Sequence, residues 1–133
     1  MIIVNNLTRS RIGTKKLESK VLKTLKILGV LKVWHLEIYF LSPSKMARLH
    51  KKLLKKSGPT TVISVESGKN FPVGNFSGGG DVYLCPREIK KSGLGWEYFL
   101  IHGILHLCGF DHKTKKQEKE MLAKERQICD KIS

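Results

Sequence analysis

An α+β fold, in which a small mixed β-sheet is packed with helices and a metal site lies at the end of an apolar helix, is predicted for these 133 residues. Three observations predict it. Short β-rich runs alternate with amphipathic helical runs, which calls for a sheet covered by helices. No repeat, low-complexity tract or linker divides the chain, so residues 1–133 read as one domain, large enough to bury about two-thirds of its unfolded surface. Three of the five histidines fall in HGILHLCGFDH, from His102 to His112.

The elements follow in order. IIVNN reads as a short first strand. TKKLESKVLKTLKILG places Leu17, Val21, Leu25 and Leu28 at helical spacing, with Thr14 as N-cap and Gly29 as stop. VWHLEIYFLS is rich in β-formers, and SPSKMARLHKKLLKKSG follows as a helix with a Ser-Pro start and a Gly end. PTTVISVES is a strand entered through Pro59. GKNFPVGNFSGGG reads as a hairpin or crossover loop; its triple glycine, 78 to 80, lacks the Lys-Ser/Thr of a P-loop. DVYLCP is a strand, REIKKSG a helical turn and WEYFLIHGILHLCGF an apolar helix. The tail from Thr114 is a charged amphipathic helix with Met121 and Ile128 on its inner face.

Composition narrows the partners. Lys+Arg 25 against Asp+Glu 11 gives a net charge of +14, with a pI near 9.9. Such an excess costs self-repulsion and fits a polyanion, nucleic acid first, although a plain solubility surface would look the same. Cys85, Cys108 and Cys129 are odd in number and form no CxxC pair, so they read as reduced thiols rather than a disulfide or cysteine-rich zinc framework. No signal peptide is visible at the start. The most apolar run is shorter than the ~20 residues a bilayer needs. A cytoplasmic location is expected.

Residues four apart on a helix are separated by about 40° of rotation and about 6 Å of rise, so His102 and His106 project side by side. Gly109 can take the left-handed conformation that ends a helix, letting His112 swing back as a third ligand. Three nitrogens leave one position open, the arrangement of a catalytic zinc site. The spacing equals that of the metzincin proteases, but Gly103 stands where they carry the general-base Glu. That opposes a peptidase and leaves metal binding untouched. A lone histidine would read as a satisfied core residue, which is the reading for His35 and His50. Cys108, two residues after His106, reads as a buried thiol rather than a fourth ligand.

HGILHLCGFDH resembles the HGxLHLxGYDH signature of the YbeY family of bacterial rRNA maturation factors and metal-dependent endoribonucleases, with Phe110 in place of the tyrosine. GDVYL at 80 to 84 is similar to the family's Gly-Asp-Ile strand, and Glu118, Met121 and Glu125 sit in a similar closing helix. The resemblance implies a small mixed sheet, one zinc-like ion on His102, His106 and His112, and action on single-stranded RNA in 16S rRNA 3′-end processing and ribosome quality control. Partners would be rRNA and the ribosome or its proteins. Departures cluster upstream: where the family carries Asn-x-x-Tyr-Arg leading into Pro-Thr-Asp-Val-Leu-Ser-Phe, this chain has His50 for the Asn, Leu54 for the Arg and Thr61 for the Asp. Leucine cannot hold a phosphate as arginine does. Lys55, Lys56 and Arg87 are the candidates to replace that charge at the substrate.

The expected chemistry is a hydrolytic or transesterifying cut of an RNA phosphodiester. Asp111 is the candidate general base, or the partner that orients a histidine, the latter preferred for a residue beside a ligand. Zinc is the expected ion, with nickel, cobalt and iron also compatible with three histidines. Three other readings are carried alongside: a zinc-dependent peptidase or other hydrolase, a non-catalytic ribosome-assembly factor that binds rRNA or a ribosomal protein, and a plain metal-stabilised domain, which the core size makes unnecessary.

Overall fold

Alternating burial along the strands builds one sheet with two unlike faces. The structure, a computed structural model, describes residues 1–67 and 77–132. Its elements are β1 (Ile2–Asn6), α1 (Thr14–Ile27), β2 (Trp34–Phe40), α2 (Pro43–Leu54), β3 (Val62–Glu66), β4 (Gly78–Leu84), α3 (Pro86–Ser92), α4 (Trp96–Leu107) and α5 (Lys115–Ile132). The strand order is β1-β2-β4-β3. β1, β2 and β4 run parallel, and β3 pairs antiparallel with β4. The sheet is mixed and small, as expected.

Leu36, Ile38 and Phe40 of β2 and Val82 and Leu84 of β4 point to one face, where Leu17, Val21 and Leu25 of α1 and Leu100 and Ile104 of α4 cover them. The period of two on the strands meets the period of about 3.6 on the helices, and each element buries one stripe. A second cluster joins Ile101 and Leu105 of α4 to Met121, Ile128 and Ile132 of α5. α4 is therefore apolar nearly all round, because the sheet lies on one side and α5 on another. α2 packs on the other face of the sheet through Met46, against Leu41, Ile63 and Cys85.

Two sequence expectations are corrected. Thr14 is the first helical residue of α1 and Gly13 is the cap, with no side-chain hydrogen bond there. The triple glycine is not a loop: Gly78, Gly79 and Gly80 begin β4, paired with Trp34, His35 and Leu36. Glycine is required because the backbone of Gly79 has φ +103° and a Cβ there would stand 2.2 Å from the His35 carbonyl oxygen. Such close approach of strands is a glycine function that composition alone reads as a turn. The rest of the expected loop, 68–76, lies outside the described residues.

Candidate metal centre

α4 ends in the way its sequence predicts. Gly109 has φ +95°, its N–H donates to the His106 carbonyl and the Phe110 N–H donates to that of Leu105. These paired bonds form a Schellman turn, and Phe110 packs back on the Ile101–Leu105 cluster. Beyond the turn, Asp111 Oδ1 accepts the backbone N–H of His112 at 2.7 Å. α5 then starts with a reciprocal cap: Thr114 Oγ1 accepts from the Gln117 backbone N–H, and Gln117 Oε1 accepts from that of Thr114, both at 3.1 Å. The chain between α4 and α5 is thus held at both ends, with His112 between.

This geometry brings His102, His106 and His112 together, each offering a nitrogen, all within 4.8 Å of one another. The Nε2 atoms of His102 and His106 are 3.1 Å apart. Zn–N bonds of 2.0–2.1 Å in a tetrahedron put ligand nitrogens about 3.3 Å apart, so the donor set fits one small divalent ion. Burial, with His102 and His112 alongside, holds the His106 pKa below the usual histidine range. His106 is thereby kept neutral, with a lone pair to give.

Behind His102 stands Glu125. Its Oε1 lies 2.6 Å from His102 Nδ1, and the residue is 2% exposed. Accepting the Nδ1 proton fixes the tautomer and leaves Nε2 free to face the other histidines. The sequence places Glu125 only in the closing helix, without this role. The available signal was its position between Met121 and Ile128 on the buried stripe of α5, where a carboxylate needs a partner. Tyr98 stacks along His102 with ring centroids 6.1 Å apart, and burial followed by the nearby Glu125 charge raises its phenol pKa.

The three histidines open onto a cleft of about 500 Å³ whose walls include His50, Leu54, Lys56, Thr60, Ser64 and Glu66. His50 Nδ1 donates to the Gly58 carbonyl at 2.9 Å, tying the end of α2 to the β3 approach. Leu54 stands 52% exposed. Of the residues expected to hold substrate, Lys56 lines this cleft. Lys55 is the left-handed C-cap of α2, and Arg87 lines a different recess. Asp111 lines a third hollow, with Cys108, Gln117 and Glu120. The N–H of His112, then Lys113, hold the Asp111 carboxyl below its ordinary range. Burial pushes the Cys108 thiol up to about 11, which suits an inert thiol rather than a ligand.

Gly103 faces the sheet. A Cβ there would lie 3.0 Å from Val82 Cγ1 and 3.2 Å from Val62 Cγ2, so glycine lets α4 sit close on β3 and β4. No helix among the described residues is long and apolar enough to cross a membrane.

The comparisons agree with this architecture. The family model described as Endoribonuclease YbeY matches residues 3–133. Relatives named Endoribonuclease YbeY include one from Mycolicibacterium smegmatis, 36% identical with 71% of this chain and 62% of that protein covered. Another, from Bifidobacterium adolescentis, is 33% identical with 70% and 58% covered. The chain thus spans about three-fifths of the length of the curated relatives it matches. The solution structure of TM1509 from Thermotoga maritima is similar with a TM-score of 0.61 at 25% identity, covering 99% of this chain and 89% of that one. With its sheet, its histidine tripod and a match over nearly its whole length, the chain belongs to the Endoribonuclease YbeY family.

Proposed function

We propose that the chain is a metal-dependent endoribonuclease that cuts single-stranded RNA in rRNA maturation. The observation that carries this reading is the tripod of imidazoles lining a cleft that also holds Lys56, Thr60 and Ser64. The relatives' name, Endoribonuclease YbeY, supports the reaction class. Zinc is the proposed ion, 16S rRNA 3′-end processing and ribosome quality control the proposed setting, and the cytoplasm the proposed place.

The chain's own residues divide the work. When bound, a divalent ion supplies Lewis-acid polarisation of a phosphodiester and lowers the pKa of a water. His102, His106 and His112 would hold it through their ring nitrogens. Glu125 keeps His102 in the binding tautomer. Asp111 steadies the turn that presents His112, and as a half-buried carboxylate in a separate hollow is proposed to orient rather than to take the proton itself. Lys56 neutralises a flanking phosphate, with the hydroxyls of Thr60 and Ser64 as neutral donors. A peptidase is opposed by Gly103, since a side chain there begins against Val82 and Val62.

One observation favours a second reading, a non-catalytic assembly factor that binds rRNA or a ribosomal protein: Leu54 presents an apolar surface where an arginine would grip phosphate. The two are separated by comparing chelator-stripped and metal-reloaded protein on a defined single strand and on its duplex. The nuclease reading expects cleavage of the single strand only after reloading. Tight, salt-sensitive binding without cleavage would favour the assembly factor. With about five phosphates neutralised, log affinity against log salt should fall with a slope of roughly −3.5. A flat response would overturn both.

A further inference from the structure

Away from the metal cleft, the C-terminal ends of the parallel strands β1, β2 and β4 surround a recess of about 630 Å³. Arg9, Arg87 and Lys90 line it, with Thr8, Ser10 and Ser42, and no carboxylate does. Among the described residues none of these three cations is in an ion pair. The nearest acid in sequence, Glu88, is instead 3.4 Å from Lys91. The loop that carries Arg9 is folded on Asn6, whose Oδ1 accepts from the Thr8 backbone N–H and hydroxyl and whose Nδ2 donates to the Ser10 carbonyl.

α2 joins this recess to the cleft. Ser42 and Pro43 at its start line the recess; His50 and Leu54 near its end line the cleft. Twelve residues make it about 18 Å long. Between Glu37 and Glu66 the sequence has no acid and six Lys or Arg. Lys45, Arg48 and Lys52 fall at i, i+3 and i+7, one stripe on the helix, and all three are exposed. A cationic stripe with a cationic recess at one end and a metal-ready cleft at the other fits a chain of regularly spaced anions better than a compact one.

We propose that the Arg9–Arg87–Lys90 recess is a second phosphate subsite, which grips a single RNA strand that runs from the metal cleft along the basic stripe of α2. The proposal rests on the endoribonuclease reading for the identity of its ligand. It gives Arg87 a place in substrate binding that is remote from the reacting phosphate, and it lets the strand be held although Leu54 holds no phosphate. Arginine suits the subsite because its planar fork can pair two phosphate oxygens.

The test is binding of single-stranded RNA of about 4 and about 12 nucleotides, followed by fluorescence anisotropy over a salt series. Wild type is expected to prefer the longer strand. The Arg9→Ala/Arg87→Ala/Lys90→Ala variant should narrow that preference about tenfold and reduce the magnitude of the salt slope for the longer strand by about 0.7 for each phosphate released. Arg9→Lys/Arg87→Lys should keep the slope, and the single reversal Lys90→Glu should move in the direction of the triple variant. Equal preference and slope in wild type and triple variant would overturn the subsite, as would competition by polyglutamate as strong as by RNA. Cleavage reports separately. Length-dependent binding without cleavage would sink the nuclease reading and leave the subsite, whereas cleavage with no length preference would do the reverse.

Discussion

His102 Nδ1 and Glu125 Oε1 lie 2.6 Å apart although 23 residues separate them in sequence. α5 packs on α4 so that a carboxylate buried beside Met121 and Ile128 ends against the back of the His102 imidazole. Removing such a partner commonly costs about 10–100-fold in metal affinity. Glu125→Ala should therefore weaken zinc binding by that order in a competition titration against a chromophoric chelator. Glu125→Gln, whose amide oxygen can still accept the Nδ1 proton, should lose less. An unchanged constant in Glu125→Ala would remove Glu125 from the site.

Gly103→Ala tests the packing of α4 on the sheet. The added methyl meets Val82 and Val62 at 3.0 and 3.2 Å. Overpacking costs about 1–3 kcal/mol, against a gain of about 1 kcal/mol in helix propensity. A net loss of about 1 kcal/mol is expected in urea unfolding, with metal affinity largely kept.

Acid and base should separate two carboxylates that face each other across β2 and β4, Glu37 and Asp81. Burial, then the Glu37 charge, raises the Asp81 pKa; the Tyr39 hydroxyl, then His35, lowers that of Glu37. For Asp81 the folded state binds protons that the unfolded state has released, so its contribution to stability falls as pH rises through the carboxylate range. For Glu37 the contribution is present above its ordinary range and lost on acidification. Asp81→Asn should thus raise the melting temperature at pH 7 and Glu37→Gln lower it. Both differences should shrink as the pH falls toward about 3. The same sign for both variants at pH 7 would contradict this assignment.

Leu54→Arg restores a cation at an exposed position in the cleft. Stability should change by no more than about 0.5 kcal/mol, as for other surface substitutions. Affinity for single-stranded RNA should rise, and the salt slope should steepen by about 0.7 for one added phosphate contact. Binding unchanged in strength and slope would mean that RNA does not pass Leu54.

The tripod was legible because its signals are local. Helical spacing set His102 beside His106, and the glycine that turns the chain back is three residues before His112. The sheet class was legible from alternation, but not the order β1-β2-β4-β3, since pairing depends on which loops cross. The Gly78–Gly80 run hid the start of β4, because glycine serves both turns and close strand approach. Glu125 stayed without a role for a related reason. Its helix and its inward face could be read, but the imidazole it meets depends on how α5 docks. The three separate hollows that hold Lys56, Arg87 and Asp111 are likewise a matter of tertiary placement, which charge counting does not contain.

Whether His102, His106 and His112 hold an ion with which this chain cuts RNA is decided by one paired measurement. Metal content and cleavage of a defined single-stranded RNA are determined on the same preparations of wild type and His106→Ala. Wild type should carry one ion per chain and cleave, with both properties lost in the variant while RNA binding persists. Equal metal content, or the same low background of cleavage in both proteins, would contradict this expectation.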